Sequence, residues 1–225
     1  MSATYKRIWL AAIVMVVVIA GCNTKKETQT KAVFIDYEWH FFIDSTYVAA
    51  VIKDAQTGNT ISLPANSSIA FNNNQLIADL RDTSAVVYRG QYSGHIPTGT
   101  FSYTDEESNI YSNPFTFMPV RNPVTPATLY RDSVNTIHWT GSASLPGDSV
   151  TCVVFTGGTF RVLAPTELTP GSTSVSLTSD SVHQLPTSYG YFNIGWFRAD
   201  DLSGNTVARS LKQTFAPRQV GVMIQ

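Results

Sequence analysis

The sequence is poor in charge and lacks the common catalytic motifs. Charged residues make up 14% of its 225 residues, and the net charge at pH 7 is −1. A nucleic-acid-binding domain needs a basic patch or stripe, so we expect no nucleic-acid partner. The motifs H-E-x-x-H, G-x-S-x-G, C-x-x-C, G-x-G-x-x-G and the P-loop are all missing. Their absence removes the usual signatures of metalloproteases, serine hydrolases, redox proteins and nucleotide-binding enzymes.

Histidine is scarce and scattered. The four histidines are His40, His95, His138 and His183, and no two of them stand near each other in the sequence. A zinc site would therefore have to assemble from distant segments. We predict no metal, no cofactor and no catalytic residue.

Cysteine occurs only twice, as Cys22 and Cys152. Cys152 lies in an apolar segment where, with a period of two, it shares a face with Val150 and Val154. A nucleophilic cysteine needs a partner histidine and an accessible thiolate, and the neighbouring sequence supplies neither. The pattern favours a small buried hydrophobic residue.

Helical periodicity is missing as well. Outside the N-terminal segment, no run of ten or more residues shows a 3.6-residue period, whereas alternation with a period of two begins at Ala32. One parity holds Ile35, Tyr37, Trp39, Phe41 and Ile43, and the other holds Asp36, Glu38, His40 and Asp44. This alternation predicts a half-buried β-strand.

Short strands separated by turns are predicted along the rest of the chain. They cover residues 47–54, 60–63, 68–71, 75–80, 85–92, 100–104, 110–117, 135–140, 149–155, 159–163, 173–178, 189–198 and 206–215. The clearest predicted turns are residues 72–74, 156–158 and 201–205. Such spacing is typical of sandwiches or barrels.

Four prolines, Pro114, Pro119, Pro123 and Pro126, crowd into a short stretch. Proline at this density does not fit central strands, so we predict a domain boundary near residues 120–123. The expected fold class is all-β. It comprises two consecutive immunoglobulin-like antiparallel β-sandwiches, over residues 32–120 and 124–225.

The second half carries a resemblance to a known domain family. Thr136-Ile137-His138-Trp139 resembles the early strand of a fibronectin type III or related immunoglobulin-like domain, which ends in a core tryptophan. Tyr189-Gly190-Tyr191-Phe192-Asn193-Ile194 resembles a later strand of the same fold. The resemblance covers residues 124–216, and a weaker one covers the hairpin at residues 99–111. It implies a fold and no activity.

The N-terminal segment carries a second resemblance. Lys6 and Arg7 precede an uncharged apolar run over residues 8–19, and Ile19-Ala20-Gly21-Cys22 follows. This sequence resembles the lipobox of bacterial lipoproteins, which implies cleavage before Cys22 and lipidation of that cysteine. A transmembrane helix is the alternative, but it needs about 20 apolar residues. An ordinary secretory signal is the other alternative.

If the resemblance holds, residues 1–21 are a signal peptide and residues 22–31 are a polar tether. Cleavage removes two basic residues and no acidic residue, which leaves a net charge of −3. The membrane partner is then reached through lipidated Cys22, since several acyl chains anchor a protein stably. The expected location is the cell envelope, most consistent with the outer membrane. With Cys22 lipidated, Cys152 has no disulfide partner.

An aromatic stripe is the candidate ligand or partner contact. Tyr189, Tyr191 and Phe197 share one strand parity, and Phe192, Ile194 and Trp196 share the other. A strand that is apolar on both faces is either covered twice or exposes one face to a partner. Core packing and domain–domain contact remain the simpler alternative.

Acidic runs occur at Asp105-Glu106-Glu107 and at Asp200-Asp201. A glycosidase needs two facing carboxyl groups, and Asp105, Glu107 and Asn109 on alternate residues are oxygen ligands that suit calcium. Solvated turn residues are the simpler interpretation for both runs.

Four segments share the pattern Asp, then Ser, then a small or aliphatic residue. They are Asp44-Ser45-Thr46, Asp132-Ser133-Val134, Asp148-Ser149-Val150 and Asp180-Ser181-Val182. The pattern resembles an O-glycosylation acceptor of exported bacterial proteins. The alternative is that Asp-Ser forms a turn before a strand.

These observations predict a non-catalytic lipoprotein that acts as a binding or scaffolding module for glycan or protein. The alternatives are an accessory subunit of an outer-membrane complex and, less simply, a hydrolase with a site formed by loops.

Overall fold

The structure is a computed structural model that describes residues 33–80, 86–124, 126–202, 207–216 and 219–225. The predicted signal peptide and the whole predicted tether, with Cys22, lie outside the described residues. Val33–Gln225 form one compact unit. Its regular structure is almost entirely β-strand, arranged in several sheets, and this confirms the all-β sandwich prediction.

The described residues of the first half of the chain form eight strands. They are β1 (Val33–Phe42), β2 (Ser45–Asp54), β3 (Ser68–Phe71), β4 (Asn74–Gln75), β5 (Ile77–Asp79), β6 (Val87–Ser93), β7 (Thr98–Thr104) and β8 (Ile110–Thr116). The order β4-β3-β7-β8 forms one sheet, and it faces the sheet that contains β1, β2, β6 and β5.

In the second half, the residues that the structure describes add nine strands and one short helix. They are β9 (Arg121–Val124), β10 (Thr128–Leu129), β11 (Asn135–Gly141), β12 (Ser149–Thr156), β13 (Thr159–Glu167), β14 (Ser174–Leu177), α1 (Ser179–His183), β15 (Ser188–Asp201), β16 (Ala208–Ala216) and β17 (Val220–Ile224). The order β14-β11-β9 forms a three-stranded sheet.

A ten-stranded sheet joins the two halves. Its main order is β10-β17-β15-β16-β1-β2-β6-β5, and β12 with β13 continues it from the free side of β15. β1 and β16 pair in parallel, with Ile35 opposite Ala208 and Phe42 opposite Ala216. We call this β1–β16 pairing the seam.

The seam departs from the purely antiparallel arrangement that the sequence predicted, as does the parallel pair β10–β17. Parallel strands need a long connection, and the chain between β1 and β16 supplies one. Strands from both sides of residues 120–123 therefore share a sheet. The division into domains 32–120 and 124–225 stays a prediction.

Two of the four prolines near the predicted boundary lie in edge strands, and Pro119 and Pro126 lie outside strands. Pro114 is in β8 and Pro123 is in β9. In the described chain, β8 pairs with β7 alone and β9 with β11 alone. An edge strand tolerates proline because one of its sides needs no ladder hydrogen bond.

The alternation in β1 builds the core of the first half. Ile35, Tyr37 and Trp39 are fully buried. The Tyr37 ring stacks on Phe101 at 4.2 Å between centroids, and Trp39 stacks on Phe117 at 5.2 Å. Each fully buried large apolar side chain contributes roughly 1.5–3 kcal/mol.

The core of the second half centres on two tryptophans. Trp139 from β11 and Trp196 from β15 meet edge to face, with ring centroids 5.6 Å apart. Trp139 is 4% exposed and Trp196 is fully buried. The predicted early strand therefore places its tryptophan in the space between two sheets.

A buried ion pair links β9 to the loop before β12. The Arg121 Nη2 lies 2.6 Å from the Asp148 Oδ2, and both side chains are 0% exposed. Arg121 also donates to the carbonyls of Ser142 and Ala143, at 3.1 and 3.0 Å. Asp148 accepts the Leu145 amide at 2.8 Å. The pair therefore fixes this loop from inside.

Turn chemistry agrees with the predicted positions. Asn72 and Asn73 have φ of 47° and 64° between β3 and β4, and Gly157 and Gly158 have φ of 57° and 76° between β12 and β13. Two consecutive positive φ values suit a two-residue hairpin, which asparagine and glycine accept most readily. The third predicted turn, residues 201–205, lies mostly outside the described residues.

Some predicted elements differ from the structure. Residues 60–63 were predicted as a strand, but they form only an isolated bridge between Thr60 and Lys53, beside which the Ile61 amide donates to the Ile52 carbonyl at 2.9 Å. The predicted strand at 75–80 is divided into β4 and β5. The strands β9, β10 and β17 and the helix α1 were not predicted, because each is short and β9 contains a proline.

Candidate functional site

The outer side of β15 exposes the predicted aromatic stripe. Tyr189, Tyr191 and Phe197 are 58%, 49% and 38% exposed, whereas Phe192 and Trp196 on the other parity are buried. The exposure that a binding role requires is therefore present. Binding itself stays a prediction.

The stripe continues onto neighbouring strands that sequence reasoning did not connect to it. Phe155 of β12 lies opposite Tyr191 of β15, and Phe160 of β13 lies opposite Phe155. Phe155 is 46% exposed and Phe160 is 63% exposed. Residues directly opposite each other in a ladder project to the same face. We call Phe155, Phe160, Tyr189 and Tyr191 the aromatic face.

Two exposed aliphatic residues border the aromatic face. Val162 stands two residues after Phe160 on β13, and Met223 of β17 lies opposite Tyr189. They are 51% and 38% exposed. The apolar surface thus crosses four adjacent strands, β13, β12, β15 and β17.

The two tyrosines form a defined pair. Their ring centroids are 5.9 Å apart and their planes are nearly perpendicular. The Tyr189 ring lies over Gly221 of β17, where an added Cβ would overlap the tyrosine hydroxyl. Glycine at this position therefore makes room for the Tyr189 ring, which holds one member of the pair against the sheet.

Phe197 lies apart from the tyrosine pair. Six residues separate it from Tyr191, which is about 20 Å along a strand. Its ring covers Gly195, with 3.3 Å between the ring and the position of an added Cβ. The structure brings Tyr189 and Tyr191 together and leaves Phe197 as a separate exposed ring.

Uncharged polar groups accompany the aromatic face. Asn193 follows Tyr191 on the same strand parity and is partly exposed, and Thr151 of β12 lies opposite Gly195 on that side. On this side of the sheet, the described residues of β12, β15 and β17 around the rings are uncharged. They are the alternate residues from Ser149 to Phe155 in β12, the alternate residues from Tyr189 to Phe197 in β15, and Gly221 and Met223 in β17. The surface combines aromatic rings, hydroxyls and an amide.

A hollow on the first half of the same sheet has a different character. It has a volume of about 420 Å³, and its lining includes Glu38, His40, Tyr47, Ala49 and Arg89. The His40 ring lies 3.3 Å from the Glu38 carboxylate, and this hydrogen bond lowers the pKa of Glu38. The hollow is therefore charged, in contrast to the aromatic face.

Cys152 is inaccessible. It is 2% exposed, and burial raises the pKa of its thiol to about 12. A thiol with such a pKa is neutral at pH 7 and is a poor nucleophile. Its position on β12, opposite Ile194, is that of a core residue.

The acidic turn at Asp105 is a structural motif. Its carboxylate accepts the amides of Glu107 and Asn109 at 2.9 and 2.8 Å and the Asn109 side chain at 2.9 Å. These bonds, led by the one from the Asn109 side chain, lower the pKa of Asp105. Its oxygens bind N–H donors, so the calcium interpretation finds no support in this geometry.

The second acidic run is divided. Asp200 accepts the Gln213 side chain at 2.6 Å and lies 3.4 Å from Arg198. Asp201 is exposed at the end of β15. The two carboxylates follow each other on a strand and so point to opposite faces, which does not suit a shared sugar.

The four histidines occupy four separate environments. His40 lies beside Glu38, and His183 lies 2.9 Å from Asp132. His95 is hydrogen-bonded to the Met118 carbonyl among aromatic rings, and His138 is exposed on β11. No group of three or more metal-ligating side chains occurs within the described ranges.

The Asp-Ser segments differ in accessibility. Asp148 is fully buried in its ion pair, Thr46 is buried, and the Ser181 hydroxyl is hydrogen-bonded to the hydroxyl of Thr178, the N-cap residue of α1. Asp132, Ser133 and Val134 are all exposed in a turn. The structure therefore separates one accessible candidate from three constrained ones.

The comparisons with known proteins give no family. No model of a known protein family matches the chain, and the search of curated proteins gives no match. In the part of the chain that the structure describes, no helix has the length and apolar character needed to span a bilayer.

Proposed function

We propose that this protein is a lipid-anchored, non-catalytic binding module of the bacterial cell envelope, and that the aromatic face binds an uncharged glycan. The observation that carries the proposal is the continuous exposure of Phe155, Phe160, Tyr189 and Tyr191 on one regular sheet. Monomeric proteins seldom expose contiguous apolar patches of this kind unless the patch binds something.

The chemistry of the face favours a glycan. Tyrosine combines an apolar ring with a polar hydroxyl, and Asn193 adds an amide beside the rings. Sugar rings present apolar C–H faces and hydroxyl edges, so they match such a surface. The uncharged positions around the rings favour a neutral polymer over an acidic one.

The size of the aromatic face also favours a glycan over a protein partner. Four half-exposed rings of about 200 Å² each offer on the order of 400 Å² of apolar surface. A standard protein interface buries about 800 Å² on each partner. The face is therefore small for a stable protein complex and adequate for a saccharide chain. A protein partner, as in an envelope complex, is the second candidate, favoured by Val162 and Met223 at the border.

The non-catalytic part of the proposal is supported by three described titratable groups, which are buried or hydrogen-bonded within their own loops. Cys152 is buried with a raised pKa, and Asp105 and Asp148 accept bonds from their own loops. The membrane anchor in the proposal is supported by the lipobox resemblance at residues 19–22. Labelling of cells with a palmitate analogue tests the anchor, since Cys22→Ala must abolish incorporation.

The binding experiment uses the chain from Thr24 onward, without lipid, on a glycan array. Tyr191→Ala and Phe155→Ala remove neighbouring rings of the aromatic face, and Tyr47→Ala removes an exposed ring from the charged hollow as a matched control. We expect the first two variants to lose binding to neutral glycans while they stay folded, and the control to retain it.

Loss of glycan binding in Tyr47→Ala alone would show that the glycan binds in the charged hollow. If wild-type protein binds no glycan, the glycan proposal fails. A pull-down from envelope extracts, again with Tyr191→Ala beside wild type, then decides between a protein partner at the same face and no partner there.

A further inference from the structure

We infer that the seam between β1 and β16 bears mechanical load between the N-terminal end of the sheet and the aromatic face. The physiological role of this load rests on the proposed function, which attaches one end to a membrane and the other to a ligand. The mechanical property follows from the strand geometry and is independent of any ligand.

The two ends of the load path lie far apart along the strands. The chain enters the sheet at Val33, and β1 runs from there to Phe42. The register sets Phe41 beside Phe215 of β16, and Phe215 beside Trp196 of β15. Tyr191 lies five residues beyond Trp196 in the direction away from Val33. At about 3.3 Å per residue, the separation is roughly 45 Å, parallel to the strands.

A pull between these ends loads the seam lengthwise. β1 is not an edge strand, because it pairs with β2 on one side over Val33–Phe42 and with β16 on the other. Tension applied at Val33 tries to slide β1 between both neighbours, so the ladder hydrogen bonds share the force. A force across the sheet would instead open the ladder one bond at a time.

Side chains oppose sliding as well. Ile35, Tyr37 and Trp39 project from β1 into the core and are 0% exposed. A slip of one residue would turn each of them to the solvent side of the sheet. Sliding therefore requires loss of core packing together with loss of the ladder.

Additional bonds close both ends of the seam. At the start, the Ile35 amide donates to the Val207 carbonyl at 2.8 Å, and the Ser210 hydroxyl donates to Asp36 at 2.8 Å. At the far end, the Ile43 amide donates to the Ala216 carbonyl at 3.2 Å. The Phe41 and Phe215 rings stack at 5.2 Å. In the described residues, hydrogen bonds therefore close both ends of the β1–β16 pairing, whose register shifts by one residue between Ile35 and Asp36.

Single-molecule pulling of the chain from Thr24 onward tests the inference. One handle is fixed at the N-terminus. The second is attached either at Tyr191→Cys, which loads the seam lengthwise, or at Arg209→Cys, which lies near the start of β16 and opens the seam from one end. Native Cys152 is buried and does not compete for the handle. We expect a higher rupture force with the handle at position 191.

Two substitutions distinguish a specific loss of the seam from a general loss of stability. Phe215→Ala removes a buried ring from the seam, and Ile137→Ala removes a fully buried side chain from β11, away from the seam. We expect Phe215→Ala to abolish the high-force event in the lengthwise pull and Ile137→Ala to preserve it. If Phe215→Ala does not fold, Ser210→Ala, which removes the hydroxyl bonded to Asp36, replaces it.

Equal rupture forces for the two handle positions would overturn the inference, as would equal losses in the seam and off-seam variants. No glycan is present in these measurements. Failure of the load-bearing role is therefore distinguishable from failure of glycan binding, which is measured separately on the array.

Discussion

The buried pair of Arg121 and Asp148 leads to the most quantitative prediction. Both side chains are fully buried and their charged atoms are 2.6 Å apart. Asp148→Asn preserves the shape of the side chain and removes its charge. The Arg121 guanidinium is then left in the protein interior without a counter-charge, and the second nearby cation, Arg198, lies 3.8 Å from the same carboxylate.

The cost of this change follows from desolvation. Removal of one partner of a buried ion pair typically destabilises a protein by about 3–5 kcal/mol, since it leaves a buried charge unpaired. With a urea m-value of about 2 kcal/mol/M, the midpoint of unfolding should fall by roughly 2 M. Urea titration followed by tryptophan fluorescence measures this shift, because unfolding exposes the buried Trp196 ring, which lies 6.0 Å from the Arg121 guanidinium.

A double-mutant cycle then isolates the pair. Arg121→Met alone removes the bonds to the Ser142 and Ala143 carbonyls and leaves the buried Asp148 carboxylate with the longer contact to Arg198, at 3.8 Å, in place of the close Arg121 pair. We expect the double variant to lose clearly less than the sum of the two single losses. A loss below about 1 kcal/mol in Asp148→Asn, or additive losses in the cycle, would refute the claim that the pair acts as a buried, coupled unit.

Three further predictions concern other parts of the molecule. Cys152 should resist iodoacetamide in the native protein and react after denaturation, because burial raises its pKa to about 12; mass spectrometry measures the adduct, and rapid native labelling contradicts the buried position. The pKa of Asp105 is lowered in the folded state, so its contribution to stability is complete above its unfolded pKa of about 4 and is lost as the pH falls through the lower folded value. Asp105→Asn should therefore flatten the decline of the urea midpoint below pH 5, and an unchanged slope would exclude this carboxylate as a source of acid sensitivity. If the exported protein is O-glycosylated at its Asp-Ser segments, intact-mass analysis should find the glycan lost in Ser133→Ala and kept in Ser149→Ala, and the reverse result would show that accessibility in the folded state does not select the site.

The sequence predicted the architecture wherever the determining pattern is local. Alternation in β1 correctly assigned Ile35, Tyr37, Trp39 and Phe41 to the buried side. The same parity also suggested Ile43, which is 52% exposed with a φ of 61°, because the strand ends before it and the chain turns. Periodicity reports the face of a residue only as long as the strand continues.

The composition of the aromatic face shows the other limit. Parity within β15 made Tyr189 and Tyr191 candidates, but it could not decide whether another layer covers them. Phe155 and Phe160 joined them only through the register of β12 and β13. Such registers depend on the pairing of strands that are distant in sequence, and no local pattern encodes that distance. The seam was unpredictable for the same reason.

The parallel pairing of β1 with β16 also sets an order of events during synthesis. β1 is among the first parts of the folded unit to leave the ribosome, and its partner β16 is among the last. β2 follows closely and can cover one side of β1 early, whereas the other side keeps unpaired backbone groups until Ala208–Ala216 arrives. Contacts between such distant segments slow folding, and an uncovered edge invites association with other chains. The incomplete chain therefore exposes an unpaired strand edge until β16 becomes available. A chaperone that covers this edge would increase the fraction of molecules that reach the folded state.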